Sequence, residues 1–120
     1  MNWYKESQTG VRLWLDDERD PSDPYIQQMF GARGDEIWAN TVDEALNYIL
    51  NENVVYISFD HDLGDDPKNG YDLAKWIEEK AFHGEIGRIE WRVHSQNPSG
   101  GSNIAKSMEA AERFWDRNEQ

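Results

Sequence analysis

Three short apolar runs of this 120-residue chain each end in a cluster of polar residues that could do chemistry. The clusters are Asp16–Asp17, Asp60–His61–Asp62 and His94–Ser95–Gln96–Asn97. Runs of this length that are rich in β-branched and aromatic residues predict buried strands. Because ligands of parallel α/β sheets bind beyond the carboxyl ends of the strands, all three clusters are candidate site residues.

The two acidic clusters predict a metal site. Carboxylates within a few ångströms of one another repel unless a cation joins them, and Mg²⁺ or Mn²⁺ prefers oxygen ligands. We expect Asp16, Asp17 and Asp60 to act as ligands or outer-shell acceptors. Asp62 would join them if the chain stays extended beyond Asp60. A single Asp-Asp pair is more typical of a turn, but two acidic clusters on neighbouring strands favour a metal or phosphate site.

The neutral cluster predicts groups for proton transfer and phosphate binding. His94 is the candidate general acid or base, because imidazole titrates near neutral pH. Ser95 and Asn97 could hydrogen-bond phosphate oxygens. His61 could point into the core or orient a carboxylate, and it is a candidate substrate-binding residue. Arg19 could contact an anionic ligand or form an exposed ion pair with the acids around it.

The formal net charge of −12 limits the partners of this protein. It opposes non-specific binding to duplex nucleic acid, since that affinity comes mainly from Lys and Arg, but it permits a small phosphate ester reached through a cation. The chain has no cysteine, which fits a reducing cytoplasm. Neither a membrane-spanning apolar stretch nor a signal-peptide pattern is visible, so we expect a cytoplasmic protein of one domain, 1–120, with 1–10 as a loose lead-in.

The elements that must position the clusters alternate between strand and helix. Besides the three strands, a short strand is predicted over 36–40. Helices are predicted after the caps Asp23 and Thr41, over 71–80, and after a turn at 98–102. We therefore expect an α/β flavodoxin-like three-layer sandwich whose parallel sheet has about four strands in the order 2-1-3-4. In that order both acidic clusters face each other, with His94 beside them.

Four motifs together resemble the cyclic-phosphate-processing receiver-like family of bacteria and their phages, which is related to the receiver domains of response regulators. They are Leu13–Pro21, Ser58–Gly64, Asn69–Ala74 and His94–Pro98. The resemblance covers about residues 11–106. It implies a receiver-like fold, an acidic metal pocket, and processing of cyclic phosphates at RNA ends or on nucleotides.

The receiver pattern also implies individual roles. Asp60 corresponds to the receiver phosphoacceptor, Asp16 and Asp17 to its metal-binding acids, and Ser95 to its switch hydroxyl. The receiver lysine after a fifth strand has no counterpart, because this chain ends in a helix after the fourth strand. His94 is absent from the usual receiver pattern and is what a hydrolase would need.

The leading hypothesis is therefore a metal-dependent phosphoesterase that acts on a small cyclic phosphate ester or an RNA end. Two alternatives remain open. One is a non-catalytic receiver that accepts phosphate on Asp60 or binds a protein partner. The other is an acidic bacterial or phage module that binds a protein or a nucleotide.

Overall fold

The computed structural model describes residues 10–119, in which a four-stranded parallel sheet carries helices on both faces. The strands are β1 Val11–Leu15, β2 Ile37–Ala39, β3 Val54–Phe59 and β4 Glu90–Val93. The helices are α1 Pro24–Phe30, α2 Val42–Asn51, α3 Gly70–Phe82 and α4 Pro98–Asn118. The strand order is β2-β1-β3-β4, which confirms the predicted 2-1-3-4 sheet. The predicted lead-in lies outside the described residues, except for Gly10.

The main core lies between one face of the sheet and the helices α2, α3 and α4. Leu13 and Leu15 of β1 and Ile57 and Phe59 of β3 are fully buried there, in register across the two central strands. An apolar stripe of the closing helix packs on the same core, and its members are Ile104, Met108, Ala111 and Trp115. Each large side chain buried in this way contributes roughly 1.5–3 kcal/mol, so this core fixes the two central strands.

The opposite face of the sheet carries a smaller cluster under α1. Trp14 of β1 is fully buried there and packs with Ile26 of α1 and with Ala32. As predicted, α1 begins after Asp23, whose side chain accepts a hydrogen bond from the amide of Tyr25. The packed ring of Trp14 therefore lies under the loop at the carboxyl end of β1.

The closing helix begins earlier than predicted. The predicted turn at 98–102 is wrong, because these residues form the first turn of α4. Asn97 caps the helix by accepting a hydrogen bond from the amide of Gly100 at 2.9 Å, and Pro98 takes the first helical position. The loop between β4 and α4 is consequently short and held at both ends.

The N-cap of α2 is Thr41, as predicted. Thr41 accepts a hydrogen bond from the amide of Glu44, but the Glu44 carboxylate accepts from the amide of Asn40, one residue before the cap. The reciprocal bond of a capping box is therefore missing from α2. Leu50, in the last turn of this helix, is 67% exposed. The chain described here contains no helix that is both long and apolar enough to span a bilayer.

Candidate metal and phosphate site

The two acidic clusters meet at the carboxyl edge of the sheet, where β1 and β3 end side by side. The amide of Asp60 donates to the carbonyl of Leu15 at 2.9 Å, which extends the strand pairing to the first residue of the loop. One carboxylate oxygen each of Asp16, Asp17 and Asp60 lies within 4.8 Å of the others. We call these three residues the carboxylate triad. The structure thus brings the clusters together as the strand order predicts.

A tight turn after β3 lies directly beside the side chain of Asp17. Gly64 has a φ of 59°, in the left-handed region that favours glycine. A Cβ atom at this position would lie 2.6 Å from Asp17 Oδ2, which is too close for a side chain. The glycine therefore lets the backbone of the turn lie against the carboxylate of the triad.

Asp16 is fully buried, and hydrogen bonds engage both of its carboxylate oxygens. Oδ1 accepts from the amides of Glu18 and Arg19, at 2.9 and 3.0 Å. Oδ2 accepts from Arg19 Nη1 and from His94, each at 3.0 Å. Burial alone would raise the pKa of Asp16, but the bonds from His94 and the two amides outweigh it and lower the pKa. Asp16 is therefore ionised with its lone pairs engaged, which suits an outer-shell acceptor better than a direct ligand.

His94 lies behind the triad, away from solvent. Its side chain is 0% exposed, and its ring stacks on Trp14 with 3.9 Å between the ring centroids. Because ionised Asp16 can only accept, Nε2 carries the proton, and Nδ1 accepts from the Ser58 hydroxyl at 2.7 Å. Burial lowers the pKa of His94 in spite of the bond to Asp16, so the ring is neutral at pH 7. The geometry makes His94 an orienting partner of Asp16, and its direct catalytic role stays a prediction.

The Asp60 carboxylate accepts fewer hydrogen bonds than that of Asp16, and the nearest cation lies farther from it. Its Oδ1 accepts from the amide of His61 at 2.9 Å, and its Oδ2 lies 3.6 Å from Arg19 Nη1. Burial, with the negative charge of Asp16 added, raises the pKa of Asp60 to about 7. A divalent cation would supply the charge that ionised Asp60 needs, and this all-oxygen donor set fits Mg²⁺ or Mn²⁺.

Arg19 connects the loop after β1 with the loop after β4. Its Nη2 donates to Gln96 Oε1 at 3.0 Å, while its Nη1 donates to Asp16. The guanidinium lies 4.4 Å above the ring centroid of Phe30, and the Arg19 carbonyl accepts from the indole of Trp14. Of the two interpretations kept open for Arg19, the ion pair is present, whereas contact with an anionic ligand stays a prediction.

A cavity of about 350 Å³ opens above the triad. It is lined by Asp17, Glu18, Arg19, Asp60, Asp62, Gln96, Asn97 and Pro98. Its volume is at the lower end of the range for small-ligand sites. Polar and charged groups dominate the lining, which suits a small anion bound through a cation.

The rim of this cavity holds another group of predicted residues. His61 Nδ1 lies 2.8 Å from Asp62 Oδ1, and Asn97 Nδ2 donates to Asp62 Oδ2 at 3.3 Å. The chain bends after Asp60, so the extended conformation on which Asp62 as a ligand depended does not persist. Asp62 lines the cavity but lies outside the triad, and its role as a ligand stays a prediction.

Ser95 and Asn97 are both engaged within the loop that follows β4. Ser95 Oγ accepts from the amide of Asn97 at 3.0 Å, and Asn97 Oδ1 caps α4. Ser95 is not among the residues that line the cavity, while Asn97 is. Their predicted contacts with phosphate stay predictions, and the Nδ2 group of Asn97 is the better placed of the two.

Sequence reasoning missed the residues that support the site. Gln96 holds Arg19, and Trp14 and Ser58 hold His94. The sequence did contain a signal for Trp14 and Ser58 as neighbours of His94. Strand alternation places His94 on the same face of the sheet as Arg92. Arg92 is in register with Ser58, which is in register with Trp14.

This fold and site define a receiver-like α/β domain, with an acid pair after β1 and a buried aspartate after β3. The sequence matches the cyclic-phosphate processing receiver domain family over residues 11–110. The chain therefore belongs to this family. No curated protein matches the chain.

Proposed function

We propose that this protein is a metal-dependent phosphoesterase that opens cyclic phosphates on nucleotides or at RNA ends. The observation that carries the proposal is the carboxylate triad below an open polar cavity, in a member of the cyclic-phosphate processing family. The raised pKa of Asp60 supports it, because among the described residues this carboxyl group shares the Arg19 cation with Asp16. The absence of cysteine from the chain fits work in a reducing cytoplasm.

Asp17 and Asp60 are the proposed direct ligands of Mg²⁺ or Mn²⁺, with Asp16 as the outer-shell acceptor. Asp62 could add an oxygen from the rim. When bound, such an ion polarises the phosphoryl group and makes a water molecule more acidic. Asp16 stays ionised throughout, because His94 and the loop amides hold its oxygens.

The proposed reaction is a hydrolysis. The oxygen of a water molecule forms a new bond to phosphorus, and one bond from phosphorus to a ribose oxygen breaks. The water loses one proton, and the released ribose oxygen takes up one from the solvent that reaches the open cavity. Arg19 and the Asn97 amide would hold phosphate oxygens in this reaction, while His94 acts through Asp16 as a positioning residue.

The test is incubation of the purified protein with nucleoside 2′,3′-cyclic monophosphates and Mg²⁺ or Mn²⁺. We expect conversion to the nucleoside monophosphate, with loss of activity in EDTA and in Asp60→Asn. The matched control is Glu79→Gln, an exposed acid near the far end of α3, which should keep full activity. Absence of turnover with either metal, or full turnover by Asp60→Asn, would contradict the proposal.

A non-catalytic phosphoacceptor has less support. Among the described residues, Arg19 is the cation recorded near Asp60, and it is shared with Asp16 and Gln96. Intact-mass measurement after treatment with acetyl phosphate separates the two functions. A phosphoryl adduct that is absent from Asp60→Asn, without cyclic-nucleotide hydrolysis, would favour the phosphoacceptor.

A further inference from the structure

The loops around the cavity are strongly acidic. Residues 16–23 contain five acidic residues and one basic residue, and residues 60–69 contain four and one. Both basic residues are already paired, Arg19 with Asp16 and Lys68 with Asp43 at 2.7 Å. Within these two described loops, Arg19 is the cation that lines the cavity, so it can serve one phosphate, and no second cation lines the cavity for the further phosphates of a nucleic-acid strand.

The loop after β4 does not change this balance. Residues 94–97 contain no Lys, Arg, Asp or Glu, and the side chain of His94 is fully buried behind the triad. Arg92 of β4 donates to the carbonyl of Gly31 at the end of α1. Apart from Arg19, the charged residues that line the cavity are all acids, namely Asp17, Glu18, Asp60 and Asp62.

The cavity also lacks a surface on which bases could stack. The eight residues that line it, among those the structure describes, include no aromatic side chain. Phe30 and Trp14 lie nearby, but the guanidinium of Arg19 lies over one face of the Phe30 ring, and Trp14 is fully buried and stacked on His94. Proteins that bind single-stranded RNA combine a positive groove with aromatic stacking platforms, and both features are missing from this lining.

We infer that the substrate is a small, singly charged cyclic phosphodiester, such as a nucleoside 2′,3′-cyclic monophosphate, and not the cyclic end of an RNA strand. The inference rests on the proposed function and narrows its substrate class. The chemistry is unchanged: one phosphorus–oxygen ester bond opens, water supplies the new oxygen, and the released ribose oxygen is protonated.

Charge is the physical reason for this preference. A divalent cation offsets two of the negative charges at the site. It also attracts the single negative charge of one phosphodiester group. The phosphates of a strand nearest to its cyclic end add further negative charges beside an acidic lining, and the lining repels those within the screening length, about 8 Å at physiological salt. No released counterions compensate, because the lining offers carboxylates where a nucleic-acid site offers Lys and Arg.

The experiment compares two substrates that share the same reacting group. One is adenosine 2′,3′-cyclic monophosphate, and the other is a ten-nucleotide RNA that ends in the same adenosine cyclic phosphate. With Mg²⁺ or Mn²⁺ and about 50 mM NaCl, we expect kcat/KM for the RNA to be lower by roughly 100-fold, with the gap narrowing as salt screens the repulsion. Fluorescence anisotropy of the labelled RNA supplies a readout without turnover, and we expect no saturable binding.

A pair of charge reversals tests the local origin of the effect. Glu18→Lys places a cation at the cavity mouth and should raise the RNA-to-mononucleotide ratio of kcat/KM about tenfold. Glu79→Lys makes the same change in net charge near the far end of α3 and should leave the ratio unchanged.

The outcomes separate the inference from the proposed function. Opening of the RNA end as fast as the mononucleotide at low salt would overturn the inference and leave the proposed function standing. Equal responses to Glu18→Lys and Glu79→Lys would also overturn it. If neither substrate is opened with either metal, the proposed function fails, and the inference fails with it.

Discussion

Burial conflicts with negative charge at the Asp60 carboxyl group. It is 5% exposed, and it shares the guanidinium of Arg19 with a second, ionised carboxylate. Its pKa of about 7 in the fold exceeds the usual 3.8 of the unfolded chain. The folded state therefore binds the extra proton between these values, and stability is lost as pH rises from about 4 to about 7 in the metal-free protein.

The first prediction concerns this loss of stability. In EDTA at pH 8, Asp60→Asn should melt roughly 5–10 °C above the wild type, because the amide carries no charge to bury. The difference should vanish near pH 4, where Asp60 is protonated. Thermal melts across this pH range measure it, with Asp65→Asn, an exposed acid of the next loop, as the control. Equal melting of wild type and Asp60→Asn at pH 8 would mean that the fold tolerates the ionised carboxylate.

The second prediction separates the two acids that follow β1. Asp16→Asn should lower the free energy of unfolding by about 2–4 kcal/mol, because an amide cannot accept all the bonds that reach the buried carboxylate. Asp17→Asn should change it by less than about 1 kcal/mol, since Asp17 is only half-buried. Urea unfolding in EDTA measures both. A stable Asp16→Asn protein would show that the network around this residue contributes little.

Sequence reasoning reached the residue types of this site but not their partners. A carboxylate pair after a strand is a local signal, so Asp16 and Asp17 were predictable. The bond from His94 to Asp16 joins residues 78 positions apart, and that from Arg19 to Gln96 joins residues 77 apart. Such pairs depend on side-chain packing at the edge of the sheet. Hydrophobic periodicity in the sequence predicts helices and strands, but it does not predict these contacts.

At the scale of elements, the start of α4 controls the rim of the cavity. Gly100 is buried against the imidazole of His61, so an added Cβ would clash with the ring. His61 in turn hydrogen-bonds Asp62, which lines the cavity. A Cβ on the neighbouring Gly101 would lie at an ordinary contact distance, 3.4 Å from Val93 Cγ1.

The third prediction uses this pair of glycines. Gly100→Ala should lower the free energy of unfolding by about 1–3 kcal/mol, because the ring must move in a packed loop, and should also reduce cyclic-nucleotide turnover. Gly101→Ala should be neutral or stabilise the protein by up to about 1 kcal/mol, as expected for alanine within a helix. Urea unfolding and the hydrolysis assay measure both variants. The prediction is wrong if the two alanines behave alike.

The same glycines explain why the start of α4 was not predicted. Residues 98–102 have the composition of a turn, since two glycines in one helical turn cost about 2 kcal/mol relative to alanine. The Asn97 cap and the contact of Gly100 with His61 override that preference. The central strands were predictable, because each pairs with a neighbouring strand along both of its edges and its apolar run is buried.

At the scale of the whole molecule, the strand order brings the site residues together, and the net charge determines the electrostatic potential around them. The loops after β1 and β3 are adjacent only because the sheet runs β2-β1-β3-β4. This order was predictable from right-handed crossovers and the alternation of strands and helices. The chain then concentrates acids at that edge while carrying a formal net charge of −12. Self-repulsion of such a charge destabilises the compact state and is weakened by any salt.

The last prediction distinguishes this general effect from a specific metal site. Sodium chloride raised from about 50 to 500 mM should increase the melting temperature of the wild type and of Asp17→Asn by similar amounts, because screening does not depend on one carboxylate. Millimolar MgCl₂ or MnCl₂ at matched ionic strength should raise the wild type further, since a ligand that binds only the folded state stabilises it. Asp17→Asn should lose this additional increase, because it removes a proposed direct ligand while leaving the core intact. If the divalent salts act on the wild type no more than sodium chloride does at equal ionic strength, the triad is only part of a diffuse negative field, and a metal-dependent reaction has no basis in this fold.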